Sequence, residues 1–190
     1  MKITRMLVQP ARKLALAAVL GSMVLPAMAT GTYTPPVASS LPGRMTGGGS
    51  LSCGGEVGRV TFGFQLHCGR DADGSNPPVP NNLEINFDKG SHFHLDTLNT
   101  AFCGGDPTTR PKAPFSVMTA KGFGEFTGES KKQDARIEFV LQDVGEPGAG
   151  VDKASFTITT TGKDGDTVLK CGNYLEGGNI QAHRATGSKQ

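Results

Sequence analysis

The residues best suited to chemistry lie in the middle of the chain. His92, His94 and Asp96 alternate with apolar Phe93 and Leu95. Alternate side chains of a strand share a face, so this spacing points all three the same way. His67 occupies a polar position of an earlier segment, and Glu84 precedes the turn that leads into the histidine segment. Imidazoles and a carboxylate on one sheet face are the donors that zinc and copper take, and an open coordination position there would be catalytic. The candidate metal set is His67, Glu84, His92 and His94. The same residues also read as an ordinary solvated face with a cross-strand His–Glu pair. The two readings differ in one requirement: the metal site needs the strand of His67 beside that of His92 and His94.

Asp143, Glu146 and Asp152 surround a Gly/Pro-rich loop, and their carboxylates are candidate calcium ligands. A solvated acidic turn accounts for them equally well. Asp71-Ala72-Asp73-Gly74 has the opening of a calcium loop, but its glycine stands at the fourth position, where such a loop wants it at the sixth. That favours a polar turn. The chain contains no Gly-x-Ser-x-Gly, no His-Glu-x-x-His and no phosphate-binding glycine loop. It has no tryptophan and two tyrosines, few of the flat platforms that sugar-processing sites use. No catalytic residue is assigned, and the reading leans away from an enzyme.

The elements that must position these groups follow from the rest of the chain. Lys2, Arg5, Arg12 and Lys13 precede an apolar stretch over residues 14–26 that ends in Ala27-Met28-Ala29. This is the pattern of a secretory signal peptide over residues 1–29, cleaved after Ala29. The apolar run is too short to span a bilayer, and no later segment provides a transmembrane anchor. The leader holds four of the 19 basic residues and none of the 17 acidic ones, so the mature chain carries 15 against 17. That balance gives no basic surface for nucleic acid.

Cys53, Cys68, Cys103 and Cys171 form an even set without Cys-x-x-Cys spacing, which in an exported chain reads as two disulfides. Cys68 ends one strand on its inward face and Cys103 follows another, so the expected pairing is Cys68–Cys103 with Cys53–Cys171. Cys53–Cys68, as a hairpin staple, is the rival.

Residues 30–49 are rich in Gly, Pro, Ser and Thr and read as a flexible arm; 50–185 is the folded domain and 186–190 a tail. Within the domain, apolar and polar residues alternate in segment after segment: Val60 to Cys68, Leu83 to Phe87, Phe93 to Leu95, Ala135 to Leu141 and Ala154 to Ile158. Val140 is the apolar exception. Each segment is a strand with one buried and one solvated face. Asp164-Gly165 predicts a two-residue turn that sets Ile158 opposite Cys171. A three-residue loop, Asp88-Lys89-Gly90, sets Ile85 opposite Phe93 and Glu84 opposite His94, and only this register keeps the apolar residues together. Eight to ten short strands predict an all-β, antiparallel β-sandwich or jelly-roll-like domain.

The order of motifs adds a resemblance. Met45-Thr46-Gly47-Gly48-Gly49, Phe62-Gly63-Phe64-Gln65-Leu66-His67-Cys68, Asn81-Asn82-Leu83-Glu84, Phe93-His94-Leu95, Gly145-Glu146-Pro147-Gly148 with Asp152, and Gly177-Gly178-Asn179-Ile180-Gln181-Ala182-His183 follow one another through the chain. In this the chain resembles a group of exported bacterial all-β proteins and surface modules akin to the post-COAP domain. The resemblance implies a β-sandwich on the outside of a bacterium and carries over no catalytic residues. The expected role is that of an exported, non-enzymatic protein, periplasmic or secreted, with an envelope or surface partner and no cofactor. The alternatives are a zinc- or copper-dependent protein using the His/Glu face, and a surface-assembly subunit.

Overall fold

Period-two alternation buries one face of most segments, and among the described residues nine strands make one antiparallel sheet. In the computed structural model, residues 39–55, 57–105, 113–128, 131–163 and 165–185 are described. The leader, residues 30–38 of the arm, Glu56, residues 106–112 and 129–130, Asp164 and the tail lie outside the described residues. The strands are β1 (Gly43–Ser52), β2 (Arg59–His67), β3 (Asn82–Phe87), β4 (Ser91–Gly104), β5 (Val117–Gly128), β6 (Lys131–Gln142), β7 (Lys153–Thr160), β8 (Thr167–Tyr174) and β9 (Gly177–Arg184). Their order in the sheet is β8-β7-β6-β5-β4-β3-β2-β1-β9. Strands β1 to β8 form a continuous meander, and the chain then crosses to the far edge to lay β9 beside β1.

The sheet curls until its own halves face each other across one core. The rings of Phe62 on β2 and Phe156 on β7 meet edge to face with centroids 5.1 Å apart, although four strands separate them in the sheet. Met45, Leu66, Leu83, Ile85, Phe93, Ile137, Phe139, Leu141 and Ile158 are fully buried between the facing halves. Each such side chain stabilises the fold by roughly 1.5–3 kcal/mol through removal of apolar surface from water. The register of β4 against β5 shifts twice, between Leu95 and Thr97 and between Leu98 and Thr100. Gly124 faces the concave side there. A Cβ on it would lie 1.9 Å from the carbonyl oxygen of His94, so only glycine lets the strands close so tightly.

Three details depart from the expected organisation. Residues 43–49, assigned to the flexible arm, form most of β1, an interior strand paired with β2 and β9. The β7–β8 hairpin pairs Ile158 with Leu169 and Phe156 with Cys171, two positions from the expected register. The hairpin closes at Thr160 against Asp166, three positions from the expected closure, and a one-residue bulge between Ile158 and Thr159 takes back one of them; because the net slip is even, Cys171 stays on the inward face. The expected two-layer arrangement arises within a single sheet that folds over on itself.

Cys68 is joined to Cys103 and Cys53 to Cys171, with Cα separations of 5.7 and 5.3 Å. The first bridge ties the end of β2 to β4; the second ties the chain just beyond β1 to β8, across the gap left where the curled sheet meets itself.

Candidate functional site

The β3–β4 hairpin positions the histidine face. Its connection is a single 3-10 turn over Asp88–Gly90, with Gly90 at φ +105°, a conformation glycine adopts without strain. This odd loop sets Glu84 opposite His94 and Ile85 opposite Phe93. Phe93 and Leu95 enter the core, and His92 and His94 turn outward onto the same face as Glu84. His92 Nε2 lies 2.5 Å from Glu84 Oε2, and His94 Nδ1 bonds the other carboxylate oxygen, Oε1. His94 Nε2 is 3.9 Å from Asp96. One carboxylate is thus held between two imidazoles on a face more than a third exposed. Burial tends to raise the Glu84 pKa, but the hydrogen bonds from His94 and His92 outweigh it, and the carboxyl sits below its ordinary value. On the far side, Glu125 of β5 stands opposite His94 and takes a 2.7 Å bond from Lys132.

His67 is not part of this cluster. Strand β3 lies between β2 and β4, and the β2 residue opposite Glu84 is Gly63, four positions before His67. His67 instead bonds Asn81, through its backbone N–H at 2.8 Å and its Nδ1 at 3.3 Å. The expected set of four therefore reduces to Glu84, His92 and His94. Among the described residues, no group of three or more His, Cys, Asp or Glu side chains is arranged to hold a metal ion.

The second acidic group is brought together, and its geometry shows what it does. Strand β9 pairs with β1 on one side only, and its free edge needs acceptors for its outward N–H groups. Asp152 Oδ2 accepts the N–H of Ile180 at 2.8 Å, and Asp143 Oδ2 accepts that of Ala182 at 2.8 Å. Asp152 Oδ1 also accepts from Val144 at 2.9 Å, which fixes its own loop. Glu146 Oε1 takes bonds from Asn179 Nδ2 and Gln181 Nε2 at 2.9 and 2.7 Å. The three carboxylates stand in for a missing tenth strand along this seam, and both oxygens of Asp152 are engaged by backbone donors. Asp143 and Asp152 are fully buried. Burial pushes the Asp143 carboxyl up to about 6, against the Ala182 N–H and with help from the charges of Asp152 and Glu146. Glu146 shifts the other way, lowered by its bonds from Asn179 and Gln181.

Comparison with known proteins finds no matching family model, no matching curated protein and no matching solved structure.

The seam contains two residues that the sequence placed in the closing motif but not among the candidate site residues, Asn179 and Gln181. Alternation over residues 177–183 puts Asn179, Gln181 and His183 on one face, and that alternation is the signal that could have found them. The stretch over residues 71–76 is a polar turn: Asp73 accepts from the Ser75 backbone at 2.9 Å, and Asp71 from the Ser75 hydroxyl at 2.9 Å.

Proposed function

We propose that the protein works outside the cytoplasm, in the periplasm or on the bacterial surface, as a binding protein and not as a catalyst. The observation that carries this reading is the pair of disulfides, because such bridges persist in oxidising compartments. The leader pattern over residues 1–29 and the resemblance of the motif order to exported post-COAP-like modules support it. So does the use of the buried carboxylates as acceptors for backbone amides, a structural task. Expression with the native leader, fractionation and mass spectrometry of the intact chain test it. A product beginning at Thr30, with all four cysteines oxidised, in the periplasm or medium is expected. An uncleaved, reduced chain in the cytoplasm would sink the location, and turnover of any polysaccharide, ester or peptide in a substrate panel would sink the binding role.

A second reading, a zinc or copper site, is favoured by one observation: two imidazole nitrogens converge on the Glu84 carboxylate. Displacement of that hydrogen-bonded arrangement by a metal would draw three donors from two strands. Calorimetric titration with zinc and copper decides it. Tight one-to-one binding that disappears in the His92→Ala, His94→Ala double variant establishes the metal reading, and heat no different from that of the variant removes it.

A further inference from the structure

We propose that the end of the sheet where β9, β1 and β2 run side by side binds a phosphate-bearing molecule. The pairing of three strands sets Arg44 directly opposite His67 on one flank and His183 on the other. All three side chains are half-buried, and each can carry a positive charge. Like charges placed directly opposite destabilise a sheet, so this row is a poor choice for folding alone. The fold relieves it in part by disfavouring the charged form of His183. Burial first, and then the Arg44 charge, lowers the His183 pKa, and its Nε2 lies 2.7 Å from the Thr46 hydroxyl. Arg44 has no such relief: its Nε is buried and has no hydrogen-bond partner. A buried N–H left unpaired is costly, and an oxyanion is the partner that would satisfy it.

Beside this row opens a cavity of about 340 Å³ lined by Arg44, His67, Arg70 and Arg184, with Ser40 and Gly69 at its wall. No carboxylate lines it among the described residues. With Arg44 and Arg70 at its wall and no carboxylate among its described lining residues, the cavity is a basic one. Guanidinium groups present paired N–H donors that match phosphate oxygens. Arg44 and Arg70 arrive from separate segments, β1 and the stretch after β2, an arrangement suited to gripping a multiply charged tetrahedral group from two sides. A single carboxylate would need only one of them. The volume falls in the range of small-molecule sites and exceeds what a bare phosphate fills, leaving room for an attached sugar or glycerol unit.

This inference rests on the binding-protein reading and names the ligand class. Calorimetric titration of the purified protein at low ionic strength, with glucose 6-phosphate, with acetate and with phosphatidylglycerol vesicles, tests it. Saturable binding of the phosphate ligand is expected, weakened about tenfold or more in Arg44→Gln and in Arg70→Gln, and unchanged in Lys170→Gln on exposed β8. Arg70 is exposed beyond the strand, so its variant keeps the test decisive if Arg44→Gln does not fold. Vesicle binding displaced by glucose 6-phosphate would identify a lipid headgroup as the source of the phosphate, and binding of the sugar phosphate alone a soluble ligand. No saturable binding of either, acetate binding of equal strength, or binding undiminished in both arginine variants overturns the proposal. Such a failure leaves the location and the absence of turnover standing, because fractionation and the substrate panel read those separately.

Discussion

Strand β9 meets two kinds of charge. Along its free edge, the carboxylates of Asp143 and Asp152 each accept a backbone N–H, and Glu146 takes two side-chain amides. At its end, beside β1 and β2, Arg44 keeps a buried Nε with no partner, and guanidinium groups line an open cavity. The seam uses charge as building material, with each of the three carboxylates engaged by amide donors. At the basic end the buried Nε of Arg44 is left unmatched, which is the condition of a surface kept for something else. Conservative changes should therefore act on stability at the seam and on ligand at the basic end.

The largest effect should come from the bridges. Cys53 and Cys171 are 118 residues apart, so removing both in a Cys53→Ala, Cys171→Ala variant should cost about 5 kcal/mol; the 35-residue separation of Cys68 and Cys103 predicts about 4 kcal/mol. Denaturant midpoints measure both. A smaller loss for the Cys53–Cys171 variant than for the other would mean that the length of the closed loop does not set what each bridge contributes.

Next comes Asp152→Ala. It strands the N–H of Ile180 and removes the bond to Val144, both served by one buried carboxylate, and should cost about 3–4 kcal/mol in the same measurement. A loss below about 1 kcal/mol would show that water replaces the carboxylate and that the seam is wet.

Asp143 gives a pH signature. Its carboxyl, raised by burial to about 6, binds a proton more tightly in the folded than in the unfolded chain. Its contribution is fully present below the ordinary carboxylate value of 3.8 and is lost as pH rises through about 6. Asp143→Asn keeps an oxygen for the Ala182 N–H and removes the charge. The variant should lack this decline and be more stable than the parent at pH 7 by about 2 kcal/mol. Equal pH profiles for the two proteins would place the Asp143 carboxyl in contact with solvent. The smallest effect belongs to the histidine face. Glu84→Gln removes a half-exposed carboxylate from between two imidazoles and should change stability by less than about 1 kcal/mol. A larger loss would class that face with the seam.

Legibility in the sequence tracked how local each feature is. The β3–β4 hairpin was readable because only one loop length keeps Ile85 against Phe93, and Glu84 falls opposite His94 as a result. The core strands were readable from their alternation. Strand β1 was hidden because Gly47, Gly48 and Gly49 replace the apolar residues that would mark it; the close approach of β9 takes the space a side chain would need. A Cβ on Gly47 would lie 2.3 Å from the Asn179 carbonyl oxygen. His67 was misplaced because its strand alternates correctly but its neighbours depend on sheet order, which period two does not encode. The row of His183, Arg44 and His67 needs the register of three strands, the outermost more than a hundred residues apart, and no local pattern announces it.

The pairing of β9 with β1 also sets a timetable. A chain that emerges N-terminus first can add each strand of the meander to the one before it, but β1 keeps one bare edge until the final strand arrives. A bare edge invites pairing with another molecule. Three consecutive glycines make β1 a weak template, with no side chains there to reward a foreign strand. The same glycines that hide β1 from a reader of the sequence also hide it from aggregation during synthesis, until its proper neighbour is made.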